Sequence, residues 1–429
     1  MRLKKSIFQN VFWRGLYFLS VFILNILISR YFKAAGSGWI YYVINNLSLL
    51  LLITGASLES GAGYYAATNK IDSTKIGGFC FLWALSGAII SSIFLFLFPK
   101  LILGSAIIDL EYIAACIAYV LGFLLINYFS ALFYAMQNFF IPNFILLCAN
   151  ILFICSILFL GQNGFLYSHF VLIYFSSFLL QGIMLAISYF LQNGKWIKGF
   201  LTILEIKNIL RYSLIALSAN IIFFLVYRVD YWFVKRFCTE QDLGNYIQVS
   251  KLGQIFLLVP TMIAAIIFPK TASNLRMDMQ ASVLSLSRIL FSLYFSLIIV
   301  LIIIGKWLFP FIYGFTFTEM YKPFLYLAIG ILSLSTQALL AAYFAGKNKL
   351  SINLIGSVIA LIIIVAGNIL LVPHYGINAA AAVSSTGYLC YLIYSILVFN
   401  KEQKTSIGDF FILKRSDIDH LKNFSQNIG

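Results

Sequence analysis

Residues 211–234 read RYSLIALSANIIFFLVYRVDYWFV, an apolar segment that is interrupted by Arg228 and Asp230 near its end. A helix of this length can cross the hydrocarbon core of a bilayer, which is about 30 Å thick. The next apolar segment, 246–269, contains Lys251. Charged side chains are rare inside such segments because each costs about 2.5–3.5 kcal/mol to insert. The two segments therefore predict membrane-spanning helices that carry a functional site.

The composition extends this prediction to the whole chain. Hydrophobic residues make up 62% of the sequence and charged residues 10%, with a mean hydropathy of +0.96, whereas soluble proteins contain about 25% charged residues. The apolar runs are continuous and do not alternate, which favours helices over a β-barrel. The first run is too long for a signal peptide and is interpreted as an uncleaved span. We predict an all-α, polytopic membrane protein.

Hydropathy predicts twelve transmembrane helices in two sets of six. They lie near 12–32, 39–62, 77–98, 112–135, 140–161, 167–191, 209–234, 246–269, 283–305, 323–345, 350–372 and 378–399. These spans define an N-terminal six-helix bundle (1–200), a C-terminal six-helix bundle (201–400) and a tail (401–429). Pro260 removes a backbone hydrogen bond within the eighth span and is expected to kink it.

The distribution of basic residues predicts the orientation. The span map places 19 of the 29 Lys and Arg residues on one side of the membrane and six on the other. Because basic loops remain on the cytoplasmic side, both termini are predicted to lie in the cytoplasm and the protein in the cytoplasmic (inner or plasma) membrane. The net charge of +15 is thereby explained by topology, and nucleic acid is not an expected partner.

The two halves show weak internal similarity. At an offset of 210 residues, five positions match between 131–145 and 341–355, and at an offset of 206 the Arg30–Gly38 region matches the Arg236–Gly244 region. Two halves of six spans each enter the membrane in the same sense. Such a parallel repeat is known in transporters; chance similarity between apolar sequences is the alternative.

Charged residues inside the spans are the strongest indication of function. They fall in spans 1, 2, 7 and 8: Arg14, Arg30, Glu59, Arg228, Asp230 and Lys251. Depth along the spans predicts that Arg14 pairs with Glu59 and Asp230 with Lys251. Arg228 is then the side chain expected to face an anionic substrate, because guanidinium binds phosphate or carboxylate in bidentate fashion. Snorkelling to the membrane surface is the alternative for the arginines.

Catalytic motifs are weak throughout the sequence. The three histidines lack a metal-binding spacing, and Asp417 and Asp419 form a DxD motif in a short tail without a surrounding domain. We therefore expect no enzymatic activity, no cofactor and no metal site.

Several motifs resemble the polysaccharide-biosynthesis flippases, the O-antigen or repeat-unit translocases of the multidrug/oligosaccharidyl-lipid/polysaccharide exporter (MOP) superfamily. The resemblance rests on Arg30–Trp39 with its Gly-Trp ending, Asp230–Phe237 (DYWFVKRF), Gly244–Tyr246 (GNY) and Pro269–Ala272 (PKTA). One departure is Thr54-Gly55, where the family often has Asp-x-Gly. A coupling carboxylate is therefore not assigned to that position.

The resemblance implies a MATE-like fold of two bundles around a cavity lined by spans 1, 2, 7 and 8. It implies alternating-access transport of a polyprenyl-diphosphate-linked oligosaccharide through the bilayer, with H⁺ or Na⁺ as candidate coupling ion and other polysaccharide-assembly membrane proteins as candidate partners. The alternatives are a cation-coupled multidrug exporter, a peptidoglycan-precursor flippase, and a membrane-embedded polysaccharide polymerase or ligase.

Overall fold

The computed structural model describes residues 2–104, 109–160, 167–193, 199–272, 279–403, 405–415 and 417. Within these ranges the regular structure is helical and includes no strand, so the predicted all-α fold is confirmed. The α-helices are α1 (Arg2–Gly55), α2 (Leu58–Ala67), α3 (Ser73–Leu97), α4 (Pro99–Leu103), α5 (Leu110–Ala135), α6 (Phe140–Leu160), α7 (Tyr167–Gln192), α8 (Ile203–Arg228), α9 (Asp230–Phe237), α10 (Glu240–Phe256), α11 (Leu258–Ala272), α12 (Met279–Tyr313), α13 (Tyr321–Gly346) and α14 (Leu350–Gln403).

Ten helical stretches in the described ranges are long and apolar enough to cross a membrane, as expected of a multi-pass membrane protein. Two of them, Phe12–Gly55 and Leu350–Glu402, have 44 and 53 residues, about twice the length that one crossing needs. Each contains a residue with non-helical backbone angles, Lys33 in the first and Gly376 in the second. Two crossings in each stretch would give twelve spans, and that number stays a prediction.

The second predicted span ends earlier in the structure than hydropathy indicates. Helix α1 stops at Gly55, and the next two residues, Ala56 and Ser57, have left-handed backbone angles with φ of 52° and 49°. The chain then begins the separate ten-residue helix α2, with Glu59 in its first turn. The prediction of one continuous helix over 39–62 is therefore wrong, and Glu59 lies beyond a backbone break.

A second break lies where Pro260 was expected to disturb the eighth span. Helix α10 ends at Phe256 and α11 begins at Leu258. Proline has no N–H to donate to the carbonyl group four residues earlier, which here belongs to Phe256. The hydroxyl group of Tyr294 on α12 donates to this oxygen at 2.6 Å. The predicted disturbance is thus confirmed, and the acceptor that proline leaves open is satisfied.

The chain divides into two compact units. Unit 1 contains Met1–Phe32 and Trp39–Ile221, and unit 2 contains Lys33–Gly38 and Ile222–Gly429. In unit 1, α5 packs along α7 and contacts α2 and α3. The hydroxyl group of Tyr128 on α5 donates to the carbonyl oxygen of Gly55 at 3.0 Å, which satisfies a carbonyl group at the end of α1.

In unit 2, α13 packs along α14 and α11, and the short segment Lys33–Gly38 contacts α10. This contact includes two glycines, Gly38 and Gly244, at matching positions of the predicted repeat. A Cβ atom on Gly38 would lie 2.7 Å from Gly244 Cα, and one on Gly244 would lie 1.9 Å from the carbonyl oxygen of Ala34. Only glycine therefore permits this backbone contact.

The predicted repeat also has a local structural counterpart. The turns that follow α5 and α13 each have three consecutive N–H groups, at 136–138 and 347–349, that donate to carbonyl groups of the last helical turn. The central residue, Gln137 or Asn348, is left-handed, with φ of 59° or 60°. These turns correspond at an offset of 211 residues, one residue more than the sequence offset.

The chain beyond α14 is fastened to α12 by a buried ion pair. Arg288 Nε donates to Asp417 Oδ2 at 2.8 Å, Arg288 NH2 donates to Asp417 Oδ1, and Arg288 NH1 donates to the carbonyl oxygen of Asp409 at 2.8 Å. Burial alone would raise the pKa of the Asp417 carboxyl, but the hydrogen bonds from Arg288 and the Lys414 N–H hold this pKa below its ordinary value. Asp417 is therefore used structurally, whereas Asp419 of the DxD motif lies outside the described residues.

Arg288→Ala is expected to weaken this attachment by about 3–5 kcal/mol, because a buried carboxylate then loses its partner. Lys349→Ala is the matched control, since its ion pair with Glu402 is partly exposed and such pairs contribute about 1 kcal/mol or less. The strength of the attachment in both variants is measured by hydrogen exchange of the 405–415 amides and by thermal unfolding in detergent. Because the Asp417 pKa is lowered, the contribution is present above the unfolded pKa of about 3.9 and is lost as pH falls through the folded value. Equal exchange in the two variants at neutral pH would contradict the prediction.

Candidate functional site

Unit 1 contains a cavity of about 310 Å³ among α1, α2, α5, α6 and α7, with a lining that is mainly apolar but includes several polar groups. Its polar lining is contributed by Arg14, Tyr17, Glu59, Asn127, Ser130, Tyr134, Asn143 and Gln181. The hydroxyl group of Tyr134 donates to Asn143 Oδ1 at 3.2 Å, and Asn143 Nδ2 donates to the carbonyl oxygen of Phe139 at 2.7 Å. These bonds hold one wall of the cavity, while the buried Ser130 hydroxyl has no described hydrogen-bond partner.

Two of the predicted site residues meet at this cavity. Arg14 is exposed on α1, with its guanidinium carbon 5.7 Å from the centre of the Phe18 ring. Glu59 also borders an adjoining cavity of about 100 Å³ that contains Ser48, Ser57 and Asn127. Within the part of the chain that the structure describes, Arg14 and Glu59 form no ion pair. Their predicted neighbourhood is thus observed but their predicted pairing is wrong, so both charges face a shared cavity.

Unit 2 holds Asp230 at the first position of α9, directly after Val229, whose backbone angles are helical. The side chain is 1% exposed. Its Oδ2 accepts hydrogen bonds from the hydroxyl groups of Tyr246 and, at 3.0 Å, Ser384. Among the described residues, Oδ1 has no hydrogen-bond partner. The predicted ion pair with Lys251 is therefore wrong, because two hydroxyl groups hold this carboxylate.

A small cavity of about 20 Å³ lies beside Asp230. Its polar lining consists of Tyr227, Asp230, Tyr246, Ser250, Gln254 and Tyr388. A volume of this size accommodates one water molecule or one bare cation. The arrangement of one carboxylate oxygen without a partner and several hydroxyl and amide oxygens is suited to a hard cation or a proton.

Arg228, Arg30 and Lys251 occupy different surroundings. Arg228 NH2 donates to Gln254 Oε1 at 3.0 Å, and the guanidinium carbon lies 5.5 Å from the centre of the Tyr231 ring. Arg228 therefore lies near the unit 2 cavity through Gln254 but does not line it. Arg30 is exposed on α1, and Lys251 is half-buried on α10.

Sequence reasoning missed the uncharged members of both sites. Asn127, Gln181, Tyr246, Gln254 and Ser384 lie inside apolar spans, where a polar side chain needs a partner. The sequence signal that could have identified them is a polar side chain in an otherwise apolar run. In the described residues, no group of three or more His, Cys, Asp or Glu side chains is arranged to hold a metal ion.

Solved structures with the same fold are transporters of the MOP superfamily. An inward-facing multidrug resistance MATE family transporter has a TM-score of 0.71 and 14% identity, covering 91% of this chain and 96% of that chain. The lipid II flippase MurJ, in an inward closed conformation, has a TM-score of 0.74 and 13% identity, covering 99% of this chain and 96% of its own. A MOP superfamily transporter from Pyrococcus furiosus, described as having a binding pocket of reverse polarity, has a TM-score of 0.62 and 15% identity, covering 94% of each chain.

These similarities identify the fold as MATE-like, as predicted, and also as MurJ-like. No protein-family model matches the sequence, and no curated protein matches it.

Proposed function

We propose that this protein is a flippase that moves a polyprenyl-diphosphate-linked oligosaccharide from the cytoplasmic to the outer face of the membrane by alternating access. The observation that best supports this proposal is Arg14 in a cavity whose other polar groups are mainly amides and hydroxyls. A guanidinium group binds phosphate oxygens in bidentate fashion. Amide and hydroxyl side chains both donate and accept hydrogen bonds and so suit the hydroxyl groups of a sugar.

The cavity size is compatible with part of such a substrate. Its volume of about 310 Å³ lies at the lower end of the range of about 300–1,000 Å³ for small-molecule sites. A diphosphate with its first sugar falls within that range, while a polyprenyl tail remains in the hydrocarbon phase at no desolvation cost. The fold shared with a lipid II flippase is consistent with this division of the substrate.

Deletion of the gene tests the proposed function. Lipid-linked repeat units are expected to accumulate on the cytoplasmic side of the membrane, and surface polysaccharide is expected to be lost. Complementation with the intact gene should reverse both effects. Normal polysaccharide without accumulation, together with increased drug sensitivity, would overturn the proposal.

That outcome would favour a cation-coupled multidrug exporter, for which two observations speak. The fold is shared with a multidrug resistance MATE transporter, and Glu59 lines the unit 1 cavity. A carboxylate in an enclosed site attracts cationic compounds. Arg14 in the same cavity opposes this attraction, so an anionic substrate is the better match.

We place the coupling-ion site at Asp230, where H⁺ or Na⁺ would meet the carboxylate in the 20 Å³ cavity. Binding of a positive charge would offset the cost of burying an anion. It would also give Oδ1, which lacks a described hydrogen-bond partner, a ligand. Because Tyr246 is on α10 and Ser384 is on α14, occupation of the site would draw three helices of unit 2 together.

Asp230→Asn is expected to abolish the dependence of substrate movement on a proton or sodium gradient. Asparagine retains an oxygen that accepts from Tyr246 and Ser384 but removes the charge that an ion must meet. Translocation in proteoliposomes with and without an imposed gradient measures the effect. Glu240→Gln, an exposed carboxylate on α10, is the control and should leave gradient dependence unchanged. Retained gradient stimulation in Asp230→Asn would contradict the assignment.

A further inference from the structure

The segment that follows α14, here called the C-terminal strap (405–415 and 417), is fixed in place against unit 2. It begins with a capping box, in which Asp409 Oδ2 accepts from the N–H and hydroxyl group of Ser406 at 2.9 Å each. Phe410 is buried in an aromatic cluster, with its ring centre 5.3 Å from that of Phe399. Arg288 and Asp417 fasten the other end. The strap therefore has a defined outer surface.

That outer surface is unusually apolar for a segment outside the predicted spans. Ile407, Ile412 and Leu413 are 52%, 66% and 53% exposed. The fixed backbone and the buried Phe410 prevent these side chains from turning inward. Full burial of such a side chain is favourable by about 1.5–3 kcal/mol relative to exposure to water. Covering these side chains with an apolar environment would therefore be favourable.

The strap lies at the level where a bilayer interface is expected. Phe411 contacts Phe291 on α12, with ring centres 4.7 Å apart, and Phe291 stacks on Phe295. Phe291 lies three residues beyond Arg288, about 4.5 Å further along the helix. The exposed face of α12 continues through Leu293, Phe295 and Leu297, side chains that face lipid in a membrane-spanning helix. The apolar surface of the strap is thus continuous with a lipid-facing surface.

The charges beside this surface are mainly basic. Lys414 pairs with Asp409 at 2.7 Å, so its charge is largely offset, whereas Arg415 and Lys401 are exposed and add positive charge. Lys347 lies in the turn before α14, 4.8 Å from the centre of the Tyr343 ring. Segments that lie in a membrane interface combine basic side chains with exposed aliphatic ones, as Ile412, Leu413 and Arg415 do in the strap.

We infer that the C-terminal strap is a membrane-surface anchor: Ile412 and Leu413 insert at the acyl boundary, and Arg415 and Lys401 bind anionic lipid headgroups of the cytoplasmic leaflet. The cytoplasmic side follows from the distribution of basic residues, and that leaflet carries the negative surface potential. Attachment through Arg288 and Phe410 fixes α12 and α14 to the same lipid surface. This role is independent of the substrate that the protein carries.

The test uses the full chain in lipid nanodiscs with an environment-sensitive fluorophore on a single cysteine, Leu413→Cys, in a variant whose six native cysteines are replaced. In phosphatidylglycerol discs, the fluorophore is expected to be quenched by a nitroxide lipid and protected from aqueous iodide. In phosphatidylcholine discs, protection should be weaker. High salt should reduce the difference, because it screens the headgroup charge.

Arg415→Gln is expected to lower the ratio of protected to exposed label about fivefold in anionic discs, the effect of about one basic residue near such a surface. Arg236→Gln, an exposed arginine on α9, is the matched control and should have no effect. Ile412→Ser should lower the ratio about tenfold through lost apolar burial. Hydrogen exchange of the 409–411 amides shows in each variant whether the strap remains attached.

Three results would overturn the inference. The first is a label that iodide quenches in anionic discs while exchange shows that the strap is attached. The second is protection that arises only after a cytoplasmic extract is added, which would assign the surface to a protein partner. Equal protection in anionic and neutral discs would likewise exclude recognition of anionic lipid.

Discussion

Replacing Gly244 with alanine is expected to lower the free energy of unfolding by about 3 kcal/mol or more, because the added methyl group overpacks a backbone contact. Its Cβ atom would lie 1.9 Å from the carbonyl oxygen and 2.5 Å from the carbonyl carbon of Ala34. No rotamer change relieves a clash with backbone atoms. The loss should appear as a lower thermal unfolding midpoint in detergent and as less protein in the membrane.

Gly253→Ala is the matched control, because Gly253 lies on the same helix, α10. A Cβ atom there would lie 3.4 Å from Ile331 Cγ1, an ordinary contact with a movable side chain. Alanine is favoured over glycine inside a helix by about 1 kcal/mol. Gly253→Ala should therefore be neutral or stabilising. If Gly244→Ala unfolds at the same temperature as the wild-type protein, the close contact with Ala34 is not present in solution.

Arg14→Ala is expected to slow translocation of the lipid-linked substrate about ten- to a hundredfold. Hydrogen bonds from a charged group contribute about 1.5–3 kcal/mol, and alanine removes them from the unit 1 cavity. Arg14→Lys keeps the charge but loses the planar fork, so its rate should be intermediate. The rate at which a fluorescent polyprenyl-diphosphate sugar crosses the membrane of proteoliposomes is measured for the wild-type protein and for both variants.

Arg211→Ala removes an exposed arginine from α8 and should leave the translocation rate unchanged. Arg228→Ala is also expected to abolish surface polysaccharide while the protein remains in the membrane. This substitution removes the hydrogen bond from Arg228 to Gln254, a side chain that lines the unit 2 cavity. A wild-type rate in Arg14→Ala would exclude a role for Arg14 in binding the substrate, and normal surface polysaccharide in Arg228→Ala would exclude a role for Arg228.

The sequence was sufficient for the fold class because continuous apolar runs and their lengths can be read from the local sequence alone. It could not locate the end of α1 at Gly55, since the break depends on left-handed backbone angles at Ala56 and Ser57. Alanine is the strongest helix former and serine is only mildly unfavourable in a helix, so neither residue indicates a break. Hydropathy therefore extended the second span to residue 62, past Glu59.

The charged residues of the candidate site could be predicted from the sequence, but the groups that they contact could not. Depth along the spans correctly brought Arg14 and Glu59 to the same region. For Asp230, the sequence predicted Lys251 as the partner because it lies at a similar depth in the neighbouring span and an ion pair would offset part of the cost of burial. The actual partners are hydroxyl groups, and Ser384 is 154 residues away in sequence. A contact at such separation, between neutral groups, has no signature in a single sequence.

The break between α10 and α11 has a consequence for how unit 2 can bend. Bending a helix usually breaks a backbone hydrogen bond, and the separated groups are costly to leave unsatisfied in a nonpolar medium. At the carbonyl group of Phe256 that bond is already absent because of Pro260, and the hydroxyl group of Tyr294 on α12 donates in its place. A hydroxyl group on a side chain can follow a moving carbonyl over a range of angles, whereas an amide in a helix cannot. The direction of α11 can therefore change without leaving a carbonyl group unsatisfied. Pro260 and Tyr294 together lower the energy barrier to this bending.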